Sequence, residues 1–137
     1  MATPTKTLRL RPRLRAEIER IARRTRRSFA EVTQDLLDEA LRLRQWPGSY
    51  FADAILGREA KVSGTGLGVW EVIRDYQAVK GNERKLARML PHLGTVGLKS
   101  ALLYYDRYAP EIDDAIAENE AAFRALKAGG SGLARHA

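Results

Sequence analysis

The sequence contains no cysteine. That excludes a disulfide framework and thiolate metal sites, and it fits a reducing compartment. Histidine is nearly as scarce, with only His92 and His136. No metal-ligand spacing occurs, and catalysis has little to stand on. The acids Asp113, Asp114, Glu118 and Glu120 fall on an expected helix surface, where carboxylates are more often solvated than catalytic. No enzyme, no metal and no cofactor are expected. Aromatic residues make up 7% of the chain, so burial rests on Leu, Ile, Val and Ala within an apolar share of 45%. No apolar run approaches the ~18 residues of a membrane span, and the beginning lacks a signal peptide's apolar core. The expected location is the cytoplasm, at the nucleoid of a bacterial-type cell, with no membrane partner.

Acid is what the first fifth of the chain lacks. Up to Arg27, ten basic side chains meet only Glu17 and Glu19, a local charge of +8 against +7 for the whole chain. A basic end on a near-neutral body is the electrostatic footprint of a polyanion binder. Charge alone is equally compatible with a solubilising tail.

The pattern within that end is more specific. In "TKTLRLRPR", Thr5 to Arg13, Leu8 and Leu10 alternate with Thr7, Arg9 and Arg11. Alternation predicts a short strand with one apolar and one polar face. Pro12 suits the first turn of a helix. Leu14, Ile18, Ile21 and Ala22 then form one helical stripe,. "TRRS" breaks it, and Ser28 with Glu31 makes a capping box for a second helix running to about Arg44,. Phe29, Val32, Leu36, Leu37, Ala40 and Leu41 give that helix its apolar face. A lone strand has two unpaired edges. The economical solution is antiparallel pairing with the same strand of a second copy, so a homodimer is expected.

Residues 46–49 lie within "QWPGS", a break read as a linker. Residues 50–127 read as a second, helical domain, and residues 128–137 as a flexible glycine-rich tail. Within the second domain a short strand is expected around Ala60–Val62. A helix is expected on Val69, Val72, Ile73, Tyr76 and Val79, and another from the cap Asn82 to Leu90. Further helices are expected over Val96–Tyr108 and from Pro110 onward. "GTGLG" (Gly64 to Gly68) lacks phosphate-loop spacing and reads as tight turns. The expected fold class is mainly α: a strand–helix–helix dimerisation unit plus a small helical domain with a helix-turn-helix-like core.

Residues 5–45 resemble the ribbon-helix-helix family of bacterial DNA-binding proteins. In such proteins a two-stranded ribbon enters the major groove, where arginine can pair with guanine. The resemblance implies base contacts by Thr7, Arg9 and Arg11. It implies phosphate contacts by Arg27, Ser28, Phe29 and Ala30 at a helix N-terminus. Arg11, beside the turn, could take a phosphate instead. The cluster Arg23, Arg24, Arg26 and Arg27 fits phosphate contact or plain dipole complementation.

The stretch "GREAKVSGTGLGVWEVI", with "LPHLGTVGLKSALLYYDRYAPEIDDAIAENE", is similar to the domain-of-unknown-function family 433, found in antitoxin-like proteins. The shared pattern falls on Gly57, Val62, Gly64, Thr65, Val69, Pro91, His92, Leu93, Ala101, Tyr104, Tyr105 and Glu111 to Asp113. The family's arginine after Gly-Thr is Gly66 here. The resemblance implies an antitoxin that represses its own operator as a dimer and neutralises a PIN-like ribonuclease toxin. Tyr104, Tyr105 and Tyr108 are the candidate partner contacts. Two rivals remain: a stand-alone dimeric regulator, and a non-specific nucleic-acid or scaffold protein.

Overall fold

The computed structural model describes residues 4–135, with side chains through Gly129. His136 lies outside the described residues. The chain is mainly helical with one small antiparallel sheet. In order it runs α1 (Pro12–Thr25), α2 (Phe29–Gln45), β1 (Ser49–Ala54), β2 (Gly57–Val62), α3 (Val69–Ala78), α4 (Glu83–Met89) and α5 (Gly94–Arg135). It divides into two compact units after Leu41.

In the first unit, residues 4–11 carry no regular secondary structure. The strand expected over residues 7–11 is therefore not formed in the single chain. Its ladder needs a partner edge, and the first unit contains no other strand among its described residues,. The chain is extended at Arg11 (φ −60°, ψ 144°), and Pro12 opens α1 as expected,. At the other end, Arg26 closes α1 in the left-handed region (φ 54°). The Arg27 amide reaches back to the carbonyl of Ala22 at 3.0 Å. The Ser28 hydroxyl accepts from the Glu31 amide at 3.1 Å and donates to the Glu31 carboxylate at 3.0 Å.

The two helices bury little. Ile18 and Val32 are their only buried side chains, while Leu14, Leu37 and Leu41 are 49%, 54% and 59% exposed. Covering a leucine is worth ~1.5–3 kcal/mol, so the unit leaves much of its apolar face unused.

The second unit has a proper core. Val62, Val69, Val72, Ile73, Leu86, Leu93, Leu98, Ala101, Tyr104 and Ile112 form one buried cluster, flanked by Trp46, Phe51 and Trp70. The cap at Asn82 forms as expected, its side chain accepting from the Lys85 amide at 3.1 Å. Glu71 ties the start of α3 by accepting from the Gly68 amide at 3.1 Å. α5 is two helical segments joined at Tyr108 (φ −124°, ψ 38°), with Pro110 just beyond the kink,.

Three expectations need correction. The strand around Ala60–Val62 has a partner that the sequence reading missed: β1 pairs with β2 from Ser49↔Val62 to Ala54↔Gly57. The residues 46–49 are not a spacer. Trp46 packs on the core, Ser49 is buried, and a Cβ at Gly48 would run into the Ser100 side chain. Lastly, α5 continues to Arg135 through the stretch expected to be a flexible tail. Glycine weakens a helix but its backbone can still adopt one.

Candidate nucleic-acid interface

The amino-terminal segment presents its arginines without cover. Thr7, Arg9 and Arg11 are all exposed, and so is Leu8, at 71%. Neither face of the alternating segment is buried in the single chain. The polar face is free to meet a ligand, and the apolar face lacks the surface that its leucines need.

A second group of cations lies at the turn between α1 and α2. Arg23, Arg24 and Arg26 are exposed, and none has an ion-pair partner among the described residues. Arg26 holds a left-handed conformation that costs a side-chain-bearing residue on the order of 1 kcal/mol,. Glycine is the usual residue at such a helix end.

Arg27 differs. It pairs with Asp35 at 2.6 Å and with Glu31 at 3.5 Å. The bond from Asp35, with Glu31 behind it, holds the guanidinium pKa above its ordinary value despite some desolvation. Its charge is thus already matched within α2, and as a phosphate contact it must exchange those partners. Beside it, the first-turn amides of Phe29 and Ala30 have no intrahelical acceptor, which is the arrangement that receives an anion. The carboxylates of Glu31 and Asp35 oppose one there.

Of the three tyrosines expected to face a partner, Tyr105 and Tyr108 are half-buried and only Tyr104 is withdrawn from the surface. Tyr104 is completely buried, so it offers no surface; the correction follows from its place in the core cluster. Its hydroxyl donates to Glu111 Oε2 at 2.7 Å and accepts from Arg42 Nη1 at 2.7 Å. Burial first, then the Glu111 carboxylate, pushes the phenol pKa well above its ordinary value. For Arg42, burial alone would lower the pKa, but Glu111 and Tyr104 raise it further. The Arg42 guanidinium also lies 3.9 Å from the ring centre of Tyr108, and Tyr108 packs edge-on to Trp46 at 5.1 Å. Tyr105 is half-buried, donating to Asp113 at 2.8 Å and accepting from Gln77 at 3.3 Å. Tyr104 is structural, while Tyr105 and Tyr108 combine internal contacts with partial exposure.

Sequence reasoning missed this cluster. Tyr104 and Glu111 lie on either side of the Tyr108 kink, so no helical spacing pairs them. The contribution of Arg42, from 62 residues earlier, had no signal either.

Gly66, at the position of the resembled family's arginine, has φ 71°. An arginine there would be strained, so the departure accompanies a particular turn. The neighbouring Thr65 hydroxyl donates to the Val62 carbonyl at 2.8 Å and accepts from the Leu67 amide at 3.0 Å, closing that turn. Among the described residues no acidic or histidine cluster could hold a metal ion, and no helix is long and apolar enough to cross a membrane. No protein-family model, no curated protein and no solved structure matches the chain.

Proposed function

We propose that the protein is a dimeric, operator-binding transcriptional repressor whose second unit holds a partner protein, in the manner of an antitoxin. One observation carries the DNA-binding half. Over residues 7–41, a largely uncovered apolar face coincides with exposed arginines, of which Arg23, Arg24 and Arg26 have no ion-pair partner among the described residues. Pairing residues 7–11 with those of a second copy satisfies both at once. Leu8 and Leu10 gain the apolar faces of four helices, with Leu14, Leu36 and Leu37 among them. Thr7, Arg9 and Arg11 are left on the outer face of a two-stranded ribbon, which fits the major groove. Arg23, Arg24 and Arg26 then serve as phosphate contacts that set position and not sequence.

The test is Arg9→Ala, assayed on duplexes selected from a random pool by the unaltered protein. Loss of a bidentate guanine contact should weaken specific binding by ~1–3 kcal/mol and relax preference at one base position. A uniform loss across all sequences would replace this reading with that of a non-specific nucleic-acid binder. The antitoxin half rests on the sequence resemblance, which implies a PIN-like ribonuclease partner. Expression together with the neighbouring gene should yield a stable complex. Recovery of the repressor alone would leave a stand-alone regulator.

A further inference from the structure

The apolar stripe of α5 does not stop where the core does. Ile112 is buried and Ile116 packs against the core. The stripe runs on through Asn119, Phe123 and Leu126, at steps of four, three, four and three residues. That is the heptad spacing of a helix that pairs with another helix. Phe123 and Leu126 are 65% and 78% exposed. They line a groove of about 560 Å³ together with Ile55 and Leu56 of the hairpin tip and Trp70 of α3. Ile55 is fully exposed.

The positions flanking the stripe indicate what fills the groove. One flank carries Asp113, Glu120 and Lys127; the other carries Ala115, Ala122 and Gly129. In an antiparallel pair with Phe123 against Leu126 of a second copy, flanking positions of one kind face each other. Glu120 then meets Lys127 of the second copy, and Lys127 meets its Glu120. On the opposite flank Ala122 meets Gly129, and small side chains let the helices approach. A parallel pair would set Lys127 against Ala122 and leave both charges unmatched. Neither Glu120 nor Lys127 has an ion-pair partner among the described residues, and both are exposed. We infer that the distal half of α5 pairs antiparallel with the same segment of a second copy of this chain. This interface is separate from residues 7–11 and does not depend on DNA binding.

The 137-residue chain has no cysteine, so introduced cysteines report cleanly. Phe123→Cys chains mixed with Leu126→Cys chains should form an interchain disulfide under mild oxidation, while neither variant does so alone. Adding Glu120→Lys to both chains should lower the cross-link yield about tenfold, since two attractive pairs become repulsive. Further addition of Lys127→Glu should restore it. Equal cross-linking of the separate variants would mean parallel pairing and would overturn the inference. So would absence of the disulfide from the mixture, or failure of the double charge reversal to recover the yield.

Discussion

Arg42 and Glu111 meet at 2.7 Å over the buried hydroxyl of Tyr104, which is bonded to both. Tyr104 is fully buried and the Arg42 side chain is 16% exposed, while Glu111 reaches the surface at 44%. Removing the phenol oxygen by Tyr104→Phe takes a donor from Glu111 and an acceptor from Arg42. The expected destabilisation is ~1–3 kcal/mol, read as a lowered midpoint in urea.

The same contact gives the second unit an alkaline limit. The Tyr104 pKa is raised above its ordinary value of 10.0, chiefly by burial. A raised pKa means that the folded state holds the proton more tightly than the unfolded state. Its contribution is therefore complete below pH ~10 and is lost as pH climbs toward the folded value. The thermal midpoint should fall above pH ~10 in the unaltered protein. It should fall less steeply in Tyr104→Phe, and an equal slope in both proteins would refute this assignment.

Gly48→Ala places a methyl group against Ser100, whose side chain occupies that space. Overpacking of this kind costs ~1–3 kcal/mol. Ser100→Gly in the same chain should recover much of the loss, and failure of that rescue would show that the contact is not the cause.

Arg26→Gly separates backbone comfort from charge. Relieving the left-handed arginine should stabilise the first unit by several tenths to ~1 kcal/mol. DNA affinity should fall nevertheless, with the slope of log affinity against log salt reduced by about one per chain. Unchanged affinity and slope would remove Arg26 from the phosphate contacts.

Asp35→Asn releases Arg27 from its shortest ion pair, at 2.6 Å. If Arg27 reaches a phosphate, binding should tighten several-fold at low salt for every DNA sequence tested. A titration showing no change would leave Arg27 as an internal brace of α2.

The second unit's helices were readable because each element's local signal agrees with its packing. Val69, Val72 and Ile73 face inward at helical spacing, and Asn82 caps where a cap residue should. The hairpin was not readable, because Ile55 and Leu56 occupy a two-residue loop that usually calls for asparagine or glycine,. Apolar residues at a turn break the local rule, and here they lie beside an unfilled groove. The amino-terminal segment was legible in pattern only. Leu8 and Leu10 state which face wants cover, but a strand's hydrogen bonds come from a neighbour that a single chain does not contain. The base-contact residues Thr7, Arg9 and Arg11 thus rest on alternation. The Arg42–Tyr104–Glu111 contact depends on tertiary approach and on the kink at Tyr108, and it left no local signal.

Both tryptophans fall in the second unit: Trp46 edge-on to Tyr108, and Trp70 beneath the Arg74 guanidinium at 5.1 Å. Every tyrosine also lies after Leu41, which leaves Phe29 as the first unit's lone aromatic. Indole emission therefore watches one half of this molecule and is blind to the other. Far-ultraviolet ellipticity, dominated by helices, watches both. Monitored together during denaturation, the two optical signals will diverge if the halves melt separately, so the untagged chain carries its own gauge of how they cooperate.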